Sequence, residues 1–130
     1  MTSFGNRKAL RATFDEALLR VPEALKAEGF GVLTEVDVQS TLKAKLGVEL
    51  RRYKILGACN PPFAHAALQI DLEAGLMMPC NVVVYEGDDG RAVVLAVDPT
   101  KTLAATGNAQ LAALAQGVQD KLVRVLSALE

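Results

Sequence analysis

Two cysteines, each followed by an asparagine, stand 21 positions apart in Ala58-Cys59-Asn60-Pro61-Pro62 and Pro79-Cys80-Asn81-Val82, and they are the only thiols in the chain. Two thiols can hold a soft or borderline metal such as Cu(I) or Zn²⁺. They can also cycle with a disulfide, or line a small-ligand pocket. Asn60-Pro61 reads as a helix start, so Cys59 sits just before a helix N-terminus, where partial positive charge favours thiolate over thiol. His65, the single histidine, falls in the early turns of that helix. Helical side chains lean back toward the N-terminus, which makes its imidazole a candidate third donor. The candidate ligand-binding residues are therefore Cys59, Asn60, Cys80 and Asn81, and the candidate metal ligands Cys59, Cys80 and His65. No residue is assigned a catalytic role, and no cofactor is named. Against any chemistry, free cysteine behaves as a small buried apolar side chain. A spacing of 21 is also no zinc or redox signature of the C-x-x-C kind. Core packing, a metal or thiol site, and a pocket lining all stand at this point.

The elements that would position these residues are well punctuated. Thr13 and Glu16 have capping-box spacing ahead of a helix from Phe14 to about Glu28. Its stripe is Phe14, Ala17, Leu18, Val21 and Leu25, and Gly29 closes it. Pro22 falls inside that stripe and predicts a kink or break, since a mid-helix proline removes a backbone donor. Gly31 to Val36 reads as a strand, Asp37 caps a short helix from Val38 to Leu46, and Gly47 ends it. Leu50 to Ala58 is the next strand, with Arg52 and Lys54 on one face and Tyr53 and Ile55 on the other. After the Asn60-Pro61 helix, Cys80 to Glu86 and Arg91 to Val97 form a hairpin around Gly87-Asp88-Asp89-Gly90. Asp98-Pro99 opens a turn or short helix, and Asn108 caps a last helix from Ala109 to Leu129. Only a weak signal marks a strand near Lys8 to Arg11. If Leu50–Ala58 pairs antiparallel with Cys80–Glu86, the end of one lies opposite the start of the other, and the two cysteines become neighbours.

Two patterns bear on assembly. The hairpin is apolar on both faces, so one face needs more than the helices: a partner subunit or a ligand cavity. The final helix repeats Leu111, Ala115, Val118, Leu122, Val125 and Leu129, as a coiled-coil seam would. A helix lying on its own sheet looks the same, and the short run favours that reading. The expected core comprises Phe14, Leu18, Val21, Leu25, Ile55, Val82, Val84, Leu95, Leu122 and Leu126.

Composition narrows the class. The chain has 130 residues, of which 51% are hydrophobic and 22% charged, which fits one globular domain over 1–130. A net charge of −1 argues against nucleic-acid or anionic-membrane binding. No apolar run follows Arg7, Lys8 and Arg11, so no secretory signal is expected, and no stretch reaches the length of a membrane span. Two cysteines without a signal suggest a reduced, cytoplasmic setting. Arg51, Arg52 and Lys54 make a basic patch that could receive an anion, though strand charges more often guard an edge. The acidic residues have no metal-loop spacing. Phosphate-loop, dinucleotide and nucleophile-elbow motifs are absent.

Four ordered segments also resemble a known family: Gly29-Phe30-Gly31-Val32-Leu33-Thr34-Glu35-Val36-Asp37-Val38, Tyr53-Lys54-Ile55-Leu56-Gly57-Ala58-Cys59-Asn60-Pro61, Pro79-Cys80-Asn81-Val82-Val83-Val84-Tyr85-Glu86 and Val97-Asp98-Pro99. Together they are similar to the family called domain of unknown function 302, from about Ala12 to the C-terminus. The resemblance implies an α+β fold like that of the TATA-box-binding protein, a curved antiparallel sheet with helices on one face, commonly dimeric. It implies no activity, and it does not carry DNA binding with it, because function lives in the site. The expectation is a non-enzymatic binding or accessory module, a homodimer holding a small molecule or soft metal ion near Cys59 and Cys80. The alternatives are a thiol redox protein using the same pair, and a structural homo-oligomer without a site.

Overall fold

The computed structural model describes residues 5–130; residues 1–4, the start of the stretch read above for a secretory signal, lie outside the described residues. Among the described residues five strands and five α-helices follow one another: β1 (Gly5–Thr13), α1 (Phe14–Ala27), β2 (Gly31–Asp37), α2 (Val38–Leu46), β3 (Tyr53–Cys59), α3 (Pro61–Ile70), β4 (Cys80–Glu86), β5 (Arg91–Val97), α4 (Pro99–Thr102) and α5 (Ala109–Ser127). The strands form an open sheet in the order β1-β5-β4-β3-β2. Every pairing is antiparallel, and the helices lie on one side. This is the α+β class expected from the sequence.

Local chemistry explains most boundaries. Thr13 and Glu16 make both bonds of the capping box, at 3.0 and 3.2 Å, which satisfies two of the orphan N–H groups at the start of α1. At its other end Phe30 N–H donates to Leu25 O and Gly29 N–H to Lys26 O, the paired bonds of a Schellman turn. Gly29 takes φ +84°, and a side chain there would also meet the Asn60 amide at 3.3 Å. Only glycine fits both conditions. α1 runs unbroken through Pro22, so of the expected kink or break the break does not occur. Val21 and Leu25, both fully buried, anchor the turns on either side of the proline, and that packing outweighs the lost backbone bond. β3 starts at Tyr53 rather than Leu50, and β1 is a full nine-residue strand rather than a weak one.

The core lies between the helices and one face of the sheet. Val82, Val84, Val94, Ala96 and Leu56 from the strands meet Phe14, Val21, Leu25, Leu122 and Val125 from α1 and α5, all at most 2% exposed. Each fully buried side chain of this size contributes about 1.5–3 kcal/mol before entropy is counted. The whole stripe of α5, from Leu111 to Leu129, is spent in this core, so it is not a seam for a second copy. Leu18, Ile55 and Leu95 are half-buried instead of buried. Ile55 and Leu95 belong to the other face, because a strand turns successive side chains to opposite sides. That second face carries Tyr53, Ile55, Val83, Tyr85, Leu95 and Val97, with Tyr53 and Tyr85 paired in register and stacked at 5.8 Å.

Candidate functional site

The register of β3 against β4 sets Ala58 opposite Cys80, one residue from Cys59. Facing strand residues stand 4.5–5.5 Å apart and each residue advances about 3.3 Å, so the two cysteine alpha carbons lie roughly 6 Å apart. Both thiols are free, Cys59 half-buried and Cys80 buried. Burial pushes the Cys80 thiol up to about 11, and the neighbouring Cys59 adds to the rise. Cys80 is therefore a protonated thiol at neutral pH.

Both cysteines line one cavity of about 360 Å³ at this end of the sheet. Its walls come from three places: Leu33 and Thr34 of β2, Phe63 and Leu68 of α3, and Met78-Pro79 leading into β4. A bulge between Val32 and Thr34 shifts the β2 register by one residue, and bulges re-aim side chains in this way. Thr34 then lies over Gly57 with Pro79 beside it; a Cβ on Gly57 would stand 2.2 Å from the Thr34 hydroxyl and 2.9 Å from the Pro79 ring. Glycine at 57 is what lets β2 and the Pro79 turn close over β3. Asn60 is buried and its amide oxygen accepts from Phe63 N–H at 3.2 Å, which caps α3 and fixes the wall carrying Phe63 and Leu68.

The four residues read as ligand-binding divide. Cys59, Asn60 and Cys80 share the cavity. Asn81 does not line it: paired with Gly57, it turns to the helix-free face of the sheet. It is exposed and lines a separate hollow of about 360 Å³ on the helix-free face, with Tyr53, Val83, Leu95 and Val97. His65 is not brought to the thiols: it is exposed, while α3 buries Phe63 and Ala67. Residue 65 lies two positions from each, about 200° around the helix. Among the described residues no three His, Cys, Asp or Glu side chains gather as metal ligands, so the set Cys59, Cys80 and His65 is not assembled.

The basic patch is likewise spent. Arg52 makes two hydrogen bonds to Asp15, at 2.6 and 3.2 Å, and stacks 4.3 Å over the Phe14 ring. Those bonds hold the Asp15 carboxyl below its usual range and raise Arg52. Lys54 pairs with Glu35 at 2.7 Å and Arg51 with Asp88 at 3.0 Å.

Sequence reasoning did not anticipate the apolar rim. Leu33, Leu72 and Leu76 are 68%, 83% and 82% exposed, the last two on the 3-10 helix Leu72–Met77 whose Gly75 borders the cavity. The available signal was the segment Leu72-Glu73-Ala74-Gly75-Leu76-Met77-Met78, apolar yet too short for a helical stripe. Among the described residues no helix is long and apolar enough to cross a membrane.

Comparison with known proteins gives kinship without an activity. The model of the family described as domain of unknown function DUF302 matches residues 6–129. The crystal structure of an uncharacterized conserved protein DUF302 from Bacillus stearothermophilus is similar at 28% identity and a TM-score of 0.92, over 99% of this chain and 100% of that one. Among curated proteins none matches the chain.

Proposed function

Since the chain belongs to the family of domain of unknown function DUF302, which brings no reaction with it, we propose its role from the cavity: a binding or accessory module that holds a small apolar ligand or a soft metal ion beside Cys59 and Cys80. The observation that carries this reading is the shared cavity of about 360 Å³ with two free cysteines in an otherwise apolar wall. That size lies within the range of small-ligand sites. The redox alternative is weaker. A resolving thiol must ionise readily to attack a disulfide or sulfenic acid, and burial holds Cys80 near 11. A reducing compartment such as the cytoplasm would keep both thiols available. N-phenyl-1-naphthylamine, an uncharged apolar dye, should brighten and saturate at one equivalent. Ala64→Phe, which adds a ring to the cavity wall, should abolish the signal while circular dichroism stays unchanged. Equal dye binding by the variant would remove the cavity from the reading.

Assembly has its own support. The helix-free face presents half-buried Ile55, Val83, Leu95 and Val97 beside stacked tyrosines, and a contiguous apolar sheet face with no helix over it is the kind of surface a partner covers. The reading here is a homodimer through this face, burying at least about 1,200 Å² in total. Light scattering at micromolar concentration should give twice the chain mass of 13.8 kDa. Val83→Asp should return the monomer, and a wild-type monomer would sink the dimer.

A further inference from the structure

We propose that the cavity takes an uncharged carbonyl compound with an apolar body, such as an alkyl ester, whose carbonyl oxygen accepts a hydrogen bond from the side-chain NH₂ of Asn60. This rests on the preceding reading of the cavity as a ligand site and names the chemistry of the ligand. Asn60 is 7% exposed and lines the cavity. What its amide meets fixes its orientation. The Phe63 backbone N–H donates to it at 3.2 Å, so the atom on that side must be the oxygen. The NH₂ is thereby turned the other way. A Cβ on Gly29 would stand 3.3 Å from this nitrogen, so glycine at 29 keeps room beside it. Among the described residues no acceptor takes a hydrogen bond from the NH₂, and no fully buried side-chain nitrogen or oxygen lacks a partner. The Asn60 nitrogen is therefore unpaired but not sealed in. A donor at this depth is stabilised by an acceptor that a ligand brings.

The rest of the wall decides what carries that acceptor. No acidic or basic side chain lines the cavity, and Leu33, Phe63, Leu68 and Met78 supply apolar surface. A carboxylate or phosphate would enter without a counter-charge, which is strongly disfavoured in such surroundings. A pure hydrocarbon would leave the Asn60 donor unmet. A neutral ester or ketone satisfies both conditions, with one acceptor oxygen on an otherwise apolar molecule. Small-ligand sites commonly combine apolar walls with a few polar groups that fix orientation. No covalent bond forms or breaks: water on the carbonyl and on the amide is exchanged for one N–H···O=C hydrogen bond.

The test is displacement of N-phenyl-1-naphthylamine from the full chain at neutral pH, by methyl octanoate and by octanoate. The ester should compete at a concentration at least about tenfold below that of the anion, whose charge the cavity does not match. Its carbonyl stretch, isolated by isotope labelling, should move to lower frequency on binding, as a new donor on that oxygen requires. Asn60→Asp keeps an oxygen for the α3 cap and removes the NH₂. It should weaken the ester by about tenfold, while the dye, which carries no carbonyl, stays within about twofold. Circular dichroism checks the fold of the variant, and if it unfolds the two wild-type measurements decide alone. Octanoate competing as well as the ester, an unshifted carbonyl, or undiminished ester binding by folded Asn60→Asp would overturn the assignment. Where the dye still binds in those cases, the carbonyl assignment falls and the cavity reading survives. If neither dye nor ester binds, both fall.

Discussion

The β1–α5 edge and the Cys59–Cys80 corner treat polar and apolar surface in opposite ways. At the edge, Asn6 and Gln119 are buried and exchange two hydrogen bonds of 2.9 Å each. Lys8 donates to the Leu126 carbonyl at 3.1 Å and to that of Leu129, meeting the free carbonyls and partial negative charge at the end of α5. Polar groups there are drawn inside and fully matched. At the corner the reverse holds: Leu33 of the cavity wall, and Leu72 and Leu76 of the adjoining 3-10 helix, stand in solvent. A fold that can pair a buried amide and cap a helix with a lysine has the means to cover three leucines. Leu72 and Leu76 are the most exposed large apolar side chains among the described residues.

Three measurements break or sharpen this contrast. The largest effect belongs to the core beside the edge. Leu122→Ala, at a fully buried position, should lower the unfolding free energy by about 2–5 kcal/mol. Leu72→Ala at the corner should stay within about 0.5 kcal/mol in the same urea titration. Comparable losses at both positions would erase the distinction. Second, Cys80 is raised from 9.0 to about 11 in the fold. The unfolded chain therefore ionises first, stability is fully present below pH 9, and it is lost as pH rises toward 11. The loss should be of order 2 kcal/mol, and Cys80→Ala should show a flatter alkaline limb by that amount. A parallel limb in the variant would mean that the thiol is better solvated than its burial implies. Third, Asn6→Ala leaves the Gln119 amide buried without a partner, at a cost of about 1–3 kcal/mol. Asn6→Leu combined with Gln119→Leu should recover part of it, and no loss from the single change would show water replacing Asn6.

How far the sequence could be read depended on whether its cues were local. Thr13 with Glu16, Asp37, Asn60 and Asn108 each announce a helix start that the structure contains. The hairpin bounds at Cys80–Glu86 and Arg91–Val97 were fully legible, because valine runs and a Gly-Asp-Asp-Gly turn lie side by side. β1 was nearly missed. Its inward positions Asn6 and Lys8 look like surface residues, and their partners are 113 and 118 positions away in sequence. Pro22 misled in the opposite sense, since the local penalty was real but tertiary packing of Val21 and Leu25 prevailed. For the site, antiparallel pairing foretold that Cys59 and Cys80 meet. Parity along the strands turns Asn81 away from Cys80, and the side chain of Cys59 away from that of Ala58, the partner of Cys80, so the cysteines are backbone neighbours rather than facing side chains. The Thr34 bulge and the turn of α3 that points His65 outward depend on contacts no spacing encodes.

The bonds between β1 and α5 also set the order of events as the chain is made. Asn6 meets Gln119 across 113 positions, and Arg11 N–H donates to the Glu130 carbonyl at 2.7 Å. A nascent chain therefore carries β1 without its neighbour β5 until Val97 has been made, and without α5 until later still. Until then the polar groups of Asn6 and Lys8 have water in place of Gln119 and the α5 carbonyls. Closing so long a loop costs only slightly more than closing one half its length, about 0.6 kcal/mol. Late closure therefore adds little to the entropic cost of the fold.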